Sequence, residues 1–531
     1  MTHVGIPYKQ FDAGERFDAI VIGSGVGGLT TAALLAKHAG RRVLVLERHY
    51  TAGGFTHVFR RPGYEWDVGV HYIGDVLSEE TLTRRLFDHV TEGRLKWASM
   101  GEVYDRVVVG EDSYEFVAGR DAFLARMQRD FPEEAQALER YVALVRRVAR
   151  RSGRFFASKA LPAPLEGLLG PLLRRGFLRH ARRTTADVLA ELTPNRRLRT
   201  VLAGQFGDYG LPPGRSSFGV HALVARHYLW GAAFPIGGAA AIAAGIAPLI
   251  EHHGGRIVVG AEVEQIRVEQ GRATGVRLAG GRELAAPLVV SDAGLWNTYH
   301  RLLPADCVER LALADAADAV PRSAAHVCLY LGFNGTAEEL GLPRANLWVY
   351  PGDDQDAAWR AAEEDAEAPL PVVFISFPSA KDPTFQERCP GRATVELVTF
   401  APYRHFARWE DGAWRRRGPD YDALKARYSE RLLDVLDRHL PHLRGRIDFS
   451  ELSTPLSTRH FTAYERGEIY GLDHSPARFA QRHLRPRTPV RGLYLCGQDV
   501  VTCGVAGAMA GGVLSASAIL GRNLIRKVGK S

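Results

Sequence analysis

Short, wholly apolar runs alternate with glycine-rich breaks at both ends of the chain. Residues 17–22 (FDAIVI) read as a buried strand, 23–28 as a glycine loop, 29–37 as a small-residue helix and 42–47 (RVLVLE) as a second strand. The pattern predicts a βαβ opening. Between 121 and 156 the period becomes helical. Pro132, Glu133 and Glu134 mark a helix start, since proline suits the first turn and acids suit the positive end of the macrodipole. Tyr141, Leu144, Val145, Val148 and Phe155 fall on one face, and Arg146, Arg147, Arg150, Arg151 and Arg154 on the other. Residues 161–178 read as a leucine-rich stretch broken by Pro and Gly. Residues 256–292 read as β-rich, with turns at Gly271 and Gly280–Gly281; 372–377 and 394–400 read as strands, and 421–439 as a helix. The chain closes with a strand at 492–496, a loop and a small-residue helix ending near Leu520. No repeat and no low-complexity linker interrupts this order.

Two uncharged runs, 228–250 and 500–521, are too rich in Gly, Ala, Ser and Pro for membrane spans, which need about 20 strongly apolar residues. They read as buried segments beside a ligand. The first seventeen residues have no apolar h-region, so no secretory signal is expected. Five scattered cysteines (Cys307, Cys328, Cys389, Cys496, Cys503) form no C-x-x-C pair, which points to a reducing compartment without disulfides or a metal site. The expected location is cytoplasmic, peripheral to the inner face of a membrane if the chain touches one.

Candidate chemistry begins at Gly23-Ser24-Gly25-Val26-Gly27-Gly28. This G-x-G-x-x-G follows a strand, opens a helix and precedes an acid, Glu47, at the end of the next strand. Gly23 permits the tight turn, Gly25 lets the backbone approach a pyrophosphate, and Gly28 lets helix and strand pack closely. The helix N-terminus attracts the phosphates, and Glu47 is suited to ribose hydroxyls.

Glu47-Arg48 is followed by Gly53-Gly54, and the chain ends with Leu493-Tyr494-Leu495-Cys496-Gly497-Gln498-Asp499. Together these resemble the flavin amine oxidase and carotenoid desaturase superfamily. The resemblance implies an α/β fold: a Rossmann-type FAD-binding domain of the glutathione-reductase-like kind, interleaved with a mixed α+β substrate domain. It places the FAD-binding parts at 17–100, 231–300 and 456–525. A largely helical substrate- and membrane-facing part falls at 101–230, and mixed sheet and helix at 301–455. It implies FAD contacts at Gly23, Gly25, Gly28, Glu47, Arg48, Gly53, Gly54, Val263, Gly497, Asp499 and Gly507, with the last helix aiming its positive end at the flavin pyrimidine.

Longer strings narrow the likeness. They are 66–74 (WDVGVHYIG), 234–238 (FPIGG), 289–299 (VVSDAGLWNTY), 378–383 (PSAKDP), 466–471 (RGEIYG) and 497–504 (GQDVVTCG). These resemble the retinol saturase family, with carotenoid isomerases and phytoene desaturases as neighbours. The resemblance implies saturation of one C=C in a retinoid, carotenoid or related lipid, by hydride from flavin and a proton from the protein. His71, Tyr72 and Tyr470 are the candidate donors; His71 and Tyr72 could equally be packing beside the flavin. Glu468 reads as a solvated loop acid, Lys381 and Asp382 as a mutual salt bridge, Cys496 and Cys503 as small buried hydrophobes, and Trp296 as core or polyene wall. No second G-x-G-x-x-G follows a strand, so NAD(P)H docking without its own Rossmann unit, or a protein carrier, is left as electron donor. A same-fold isomerase or desaturase is the alternative. A flavin-free escort-type binding protein is the alternative of another class.

Charge alters one part of this picture. The chain of 531 residues has 68 basic and 60 acidic residues, a net charge of +8. Eleven of the basic residues, and only Glu166 among the acids, fall between Arg146 and Arg183, so that segment carries +10 and the remainder −2. Leu165, Leu168, Leu169, Leu172, Leu173, Phe177 and Leu178 lie among the arginines. Only three aromatics, Phe155, Phe156 and Phe177, are interleaved, so nucleic acid is not expected. The readings that remain are an anionic membrane surface and a solvated face. Oligomeric state is left open.

Overall fold

The protein's structure, a computed structural model, describes residues 3–12 and 14–529. Met1, Thr2 and Ala13 of the polar leader lie outside the described residues.

Six strands form an all-parallel sheet in the order Ile6–Pro7, Arg256–Val259, Val43–Glu47, Ala19–Ile22, Val289–Ser291, Leu493–Leu495. Every residue of Ala19–Ile22 and Val43–Glu47 is buried, which is why these strands read as unbroken apolar runs. Ala19, Val21, Val43 and Val45 pack with helices Val26–Ala39, Ala240–His252 and Gly504–Leu520. Ile20, Ile22, Leu44 and Leu46 pack in the core that also holds Ile266, Val276 and Leu284 of the antiparallel meander Val263–Glu269, Arg272–Leu278, Glu283–Ala285. Helices Val26–Ala39 and Gly504–Leu520 touch through glycine. A Cβ on Gly512 would collide with the Gly27 carbonyl, and Thr31 Oγ1 donates to Gly512 O at 3.2 Å.

A seven-stranded mixed sheet forms the second layer, in the order Ile447–Ser453, His326–Asn334, Arg392–Phe400, Val373–Ser376, Asn346–Tyr350, Val103–Val109, Asp112–Val117. Only Asn346–Tyr350 and Val103–Val109 pair in parallel. Helix Pro419–His439 covers one face of it through Leu424, Tyr428, Leu432 and Leu436. Helices Ala135–Lys159, Ala163–Ala181 and Phe218–Tyr228 build the helical part.

The chain departs from its sequence pattern in two places. A two-residue strand, Ile6–Pro7, precedes the predicted first strand and edges the sheet. Residues 121–156 follow the pattern: a helix starts beyond the 3-10 turn Pro132–Glu134, as Ala135–Lys159, after a first helix Arg120–Asp130. Residues 161–178 are not broken: helix Ala163–Ala181 runs through Pro171. Proline removes one backbone bond and crowds the carbonyl four residues back. That residue is Gly167, which is exposed, so its carbonyl can turn to water, while Phe177 and Ala181 anchor the helix in the core. The face assignment of Ala135–Lys159 holds: Tyr141, Val145, Val148 and Phe155 are buried, and Arg147, Arg150, Arg151 and Arg154 are exposed. Among the described residues no helix is long and apolar enough to cross a membrane.

Candidate active site

A cavity of about 1090 Å³ runs along the C-terminal ends of the parallel strands, where open α/β sheets place their ligands. Gly23, Gly25, Glu47, Arg48, Gly53, Gly54, Val263 and Asp499 all line it. Two helix N-termini converge on it. Gly25 begins Val26–Ala39 and Cys503 begins Gly504–Leu520, and no side chain caps either. Gly25, Val26 and Gly27 line the cavity at the first end, and Gly504, Val505 and Ala508 at the second. Uncapped helix starts present free N–H groups and positive potential to anions. The chain is drawn in close between them: a Cβ on Gly54 would stand 3.0 Å from Gly25 Cα. A long cradle with a phosphate-suited helix start in its wall, an acid (Glu47) beside it and a second helix start further along fits FAD.

Glu47 is buried and held. Its Oε2 accepts from Ser24 N at 2.9 Å and Ser24 Oγ at 2.6 Å, and its Oε1 from His49 N at 2.8 Å. Asp499 Oδ2 accepts from Leu295 N at 2.8 Å and Oδ1 from Leu472 N at 2.9 Å. It therefore fixes two loops while lining the cavity. Gly28, Gly497 and Gly507 lie behind the lining of the cofactor cavity. Each is a packing position: a Cβ would collide with the Gly23 carbonyl at Gly28, the Asp292 carboxyl at Gly497 and the Thr502 carbonyl at Gly507.

Asp292 carries no role in the sequence reading and lies at the centre of the cradle. It lines the cavity, and its carboxyl stands where side chains on Gly25, Gly27, Gly28 or Gly497 would be. Burial lifts this carboxyl to about 7, against hydrogen bonds from the Gly28 amide and Cys496 that oppose the rise. Its signal was its place directly after strand Val289–Ser291.

A second cavity of about 630 Å³ joins the first. His71, Asp208, Tyr470, Gly504 and Val505 line both. Its far end holds Leu82 and Trp230, which are 44% and 47% exposed, together with Arg146, Arg150 and Arg226. The Arg226 guanidinium lies 5.9 Å from the Trp230 ring centre. Tyr72 and Tyr228 stack in its wall with ring centres 4.3 Å apart.

The three proton-donor candidates meet where the cavities join, with different partners. Tyr470 donates its hydroxyl proton to Gly207 O at 2.9 Å and so braces that loop. His71 Nδ1 stands 3.0 Å from Glu396 Oε2. Burial pushes the imidazole down to about 3 and the Glu396 carboxyl above the ordinary range. Tyr72 Oη lies 3.0 Å from both Asp105 Oδ2 and Asp208 Oδ2. Asp105 also accepts from Gln205 Nε2 at 2.8 Å and Asn346 Nδ2 at 2.9 Å.

Two expectations fail nearby. Lys381 does not pair with Asp382. It donates to His71 O at 2.9 Å, Ser376 Oγ at 2.7 Å and Asn346 Oδ1, and burial lowers it to about 7. Asp382 pairs instead with Arg388 at 2.7 Å. Glu468 is not solvated: it is buried and accepts from Arg466 N at 2.9 Å, because its loop folds beneath the cofactor cavity. Cys496 and Cys503 are buried, as expected. Trp296 lies outside both cavities, with Arg322 4.6 Å from its ring centre.

Comparison with known proteins agrees with this geometry. The chain matches the family described as flavin containing amine oxidoreductase over residues 26–520. It is 38% identical to an all-trans-retinol 13,14-reductase of Danio rerio, covering 96% of this chain and 87% of that protein. It is 32% identical to an inactive all-trans-retinol 13,14-reductase of the same organism, over 97% and 88%. Among solved structures it superposes on cyclohexylamine oxidase from Brevibacterium oxydans with a TM-score of 0.59 at 18% identity, covering 97% of this chain and 99% of the other; at that identity the likeness concerns the fold. The chain is an FAD-dependent oxidoreductase and belongs to the flavin containing amine oxidoreductase family, alongside the all-trans-retinol 13,14-reductases.

Proposed function

We propose that the enzyme saturates one C=C bond of an apolar polyene of the retinoid or carotenoid type. The observation that carries this is the junction of the two cavities. A cofactor cradle opens, past His71, Asp208 and Val505, into a second space walled in part by Tyr72 and Tyr228, with exposed Leu82 and Trp230 beside arginines at its mouth. Bound FAD, once reduced, supplies two electrons and one hydrogen. Gly23–Gly27, Glu47, Arg48, Gly53, Gly54, Val263 and Asp499 would hold it, with Gly28, Gly497 and Gly507 keeping the backbones close enough to do so.

The chain's own residues do the rest. Tyr72 and Tyr228 lay a flat π surface along the channel, where a polyene stacks. Positive character developing along the conjugated chain is favoured there by ring faces. A retinol-type polyene has no conjugated carbonyl to store negative charge, so the protein must deliver a proton as the first C–H bond forms. The polar groups at the junction are the source.

The test is anaerobic. Photoreduced holoenzyme is mixed with all-trans-retinol and with a panel of carotenoids, and the flavin absorbance is followed. Reoxidation with loss of one conjugated double bond is expected. If no polyene reoxidises the flavin, saturation is wrong; isomerised product with no flavin change would assign a cis–trans isomerase.

The basic segment supports a lipid-facing reading of the channel mouth. Leu168 and Leu172 are each 76% exposed, one turn apart, on helix Ala163–Ala181. Exposed leucines beside arginines suit an anionic bilayer, where such a substrate dissolves. Sedimentation with anionic vesicles at low salt, abolished by L168E/L172E and weakened by high salt, is expected. Equal sedimentation of wild type and variant would remove this reading.

A further inference from the structure

At the junction between the cavities one hydroxyl lies between two carboxyls. Asp105 lies on strand Val103–Val109, Tyr72 in the loop before Ile73–Gly74, and Asp208 in the 3-10 turn Phe206–Asp208. Asp105 is fully buried. Its Oδ1 accepts from Asn346 Nδ2 and its Oδ2 from Gln205 Nε2 and Tyr72 Oη, at 2.8–3.0 Å. The two amide N–H groups can only donate, and two such donors on one carboxyl favour its ionised form. With Asp105 as the anion, the single Tyr72 proton is used on it.

Tyr72 Oη still has Asp208 Oδ2 at 3.0 Å. One hydroxyl proton cannot serve both carboxyls, so one of the two is protonated; Asp105 has two amide donors to support its charge and Asp208 has neither, which places the extra proton on Asp208. The geometry points to Asp208 as a neutral carboxylic acid that donates to Tyr72 Oη, and we propose it as the general acid that protonates the substrate double bond.

Its placement suits the task. Asp208 lines both cavities, whereas Tyr72 lines only the second and Asp105 neither. Its backbone is held from two sides: Gly207 O accepts from Tyr470 Oη at 2.9 Å, and Asp208 O from Cys503 Sγ at 3.3 Å. The titratable groups around it are Asp105, Tyr72, Tyr209, Tyr228, Tyr350, Tyr470 and Cys503, none of them cationic. Burial, then the Asp105 charge, raise its carboxyl well above the usual range, in keeping with a proton retained at neutral pH.

The step balances. The π bond of the alkene opens. One carbon takes a hydrogen with two electrons from the reduced flavin, which is oxidised. Its neighbour takes the Asp208 proton as the carboxyl O–H breaks. Asp208 is left as carboxylate and regains a proton from water through the channel. Asp105 and Tyr72 are positioning residues that hold the acid neutral and aimed.

This rests on the saturase reading, and the experiment separates the two. Wild type, D208N, D208E and D105N are prepared as FAD holoenzymes and checked for flavin absorbance. The first readout needs no substrate: the infrared carbonyl band of a protonated carboxylic acid at pH 7, shifted in D2O. D208N is expected to lose one component of that band and D105N to retain it. The second is flavin reoxidation by all-trans-retinol, expected to slow by about 10²-fold or more in D208N and to be partly retained in D208E. The alkaline limb of the rate should move to lower pH in D105N, since its neighbouring negative charge is gone. An unchanged band in D208N, or wild-type reoxidation by D208N, would overturn the assignment. If wild type itself ignores every polyene while the band behaves as expected, the substrate reading fails and the neutral acid stands.

Discussion

Asp105 sets a measurable pH dependence. Burial lifts its carboxyl to about 6, against the opposing bonds from Asn346, Gln205 and Tyr72. The folded protein therefore binds this proton more tightly than the unfolded chain does. The associated stability is complete below the ordinary aspartate range, near pH 4, and is lost as pH rises through about 6. Thermal denaturation of wild type and D105N should show it: the difference in stability, wild type minus variant, falls between pH 4 and 6.5. A flat difference would mean that Asp105 is not perturbed. A second change belongs to packing. Gly28→Ala places a methyl against the Gly23 carbonyl and should cost about 1–3 kcal/mol, read as a lower denaturation midpoint together with weakened FAD retention.

The two kinds of site residue differed in legibility at this scale. Gly23, Gly25, Glu47, Gly53 and Gly54 were readable because a phosphate loop is local: its spacing is its chemistry. Asp105, Tyr72 and Asp208 are brought together across 33 and 136 positions, by topology that no local pattern encodes. A signal was nonetheless present. Asp105 and Glu396 are acids inside largely apolar strands, and Gln205 and Asp208 are polar points in a buried stretch. A buried acid without a local partner marks a position with a tertiary one. Glu468 misled for the opposite reason: its glycine-flanked loop looked solvated, and only the tertiary fold buries it.

Helices and strands record the same division. The parallel strands and the long amphipathic helix were legible because burial writes a period into them. Helix Ala163–Ala181 was not, because Pro171 and three glycines argue for a break that tertiary contacts override. Its tether is Glu166, which is 4% exposed and pairs with Arg174, with Arg482 at 2.7 Å and with Arg485 at 3.7 Å. The one acid of the basic segment thus pins the helix to the C-terminal part of the chain. Glu166→Ala leaves Arg174 and Arg485 without their anion. It should cost about 3 kcal/mol, the lower end for a broken buried pair because Arg482 stays solvated. Faster proteolysis within residues 160–182 should accompany it; an unaltered cleavage pattern would mean that packing alone holds the helix.

For the whole molecule, the important relation is between the two openings of a joined cavity. Both sides carry aromatic and other apolar side chains; the cofactor side also holds the glycine loop and Glu47, and the channel side has Leu82 and Trp230 at its mouth. A charge at the mouth should separate access from chemistry. Trp230→Glu is expected to raise KM for retinol presented in vesicles about tenfold, with much less effect on kcat. The flavin spectrum should be unchanged, because Trp230 lines only the second cavity. Equal kinetics for vesicle-borne and detergent-dispersed substrate in both proteins would place the entrance elsewhere.

The parallel sheet has a consequence for how the protein is made. Its strands are drawn from residues 6–7, 19–22, 43–47, 256–259, 289–291 and 493–495, and the second helix start at the cradle lies at Gly504. A nascent chain carries the glycine loop within its first thirty residues, yet lacks the opposite wall until almost everything else has been synthesised. The cradle is therefore complete only once that segment has left the ribosome. Until then the early βαβ unit carries open sheet edges, the kind of surface that favours aggregation.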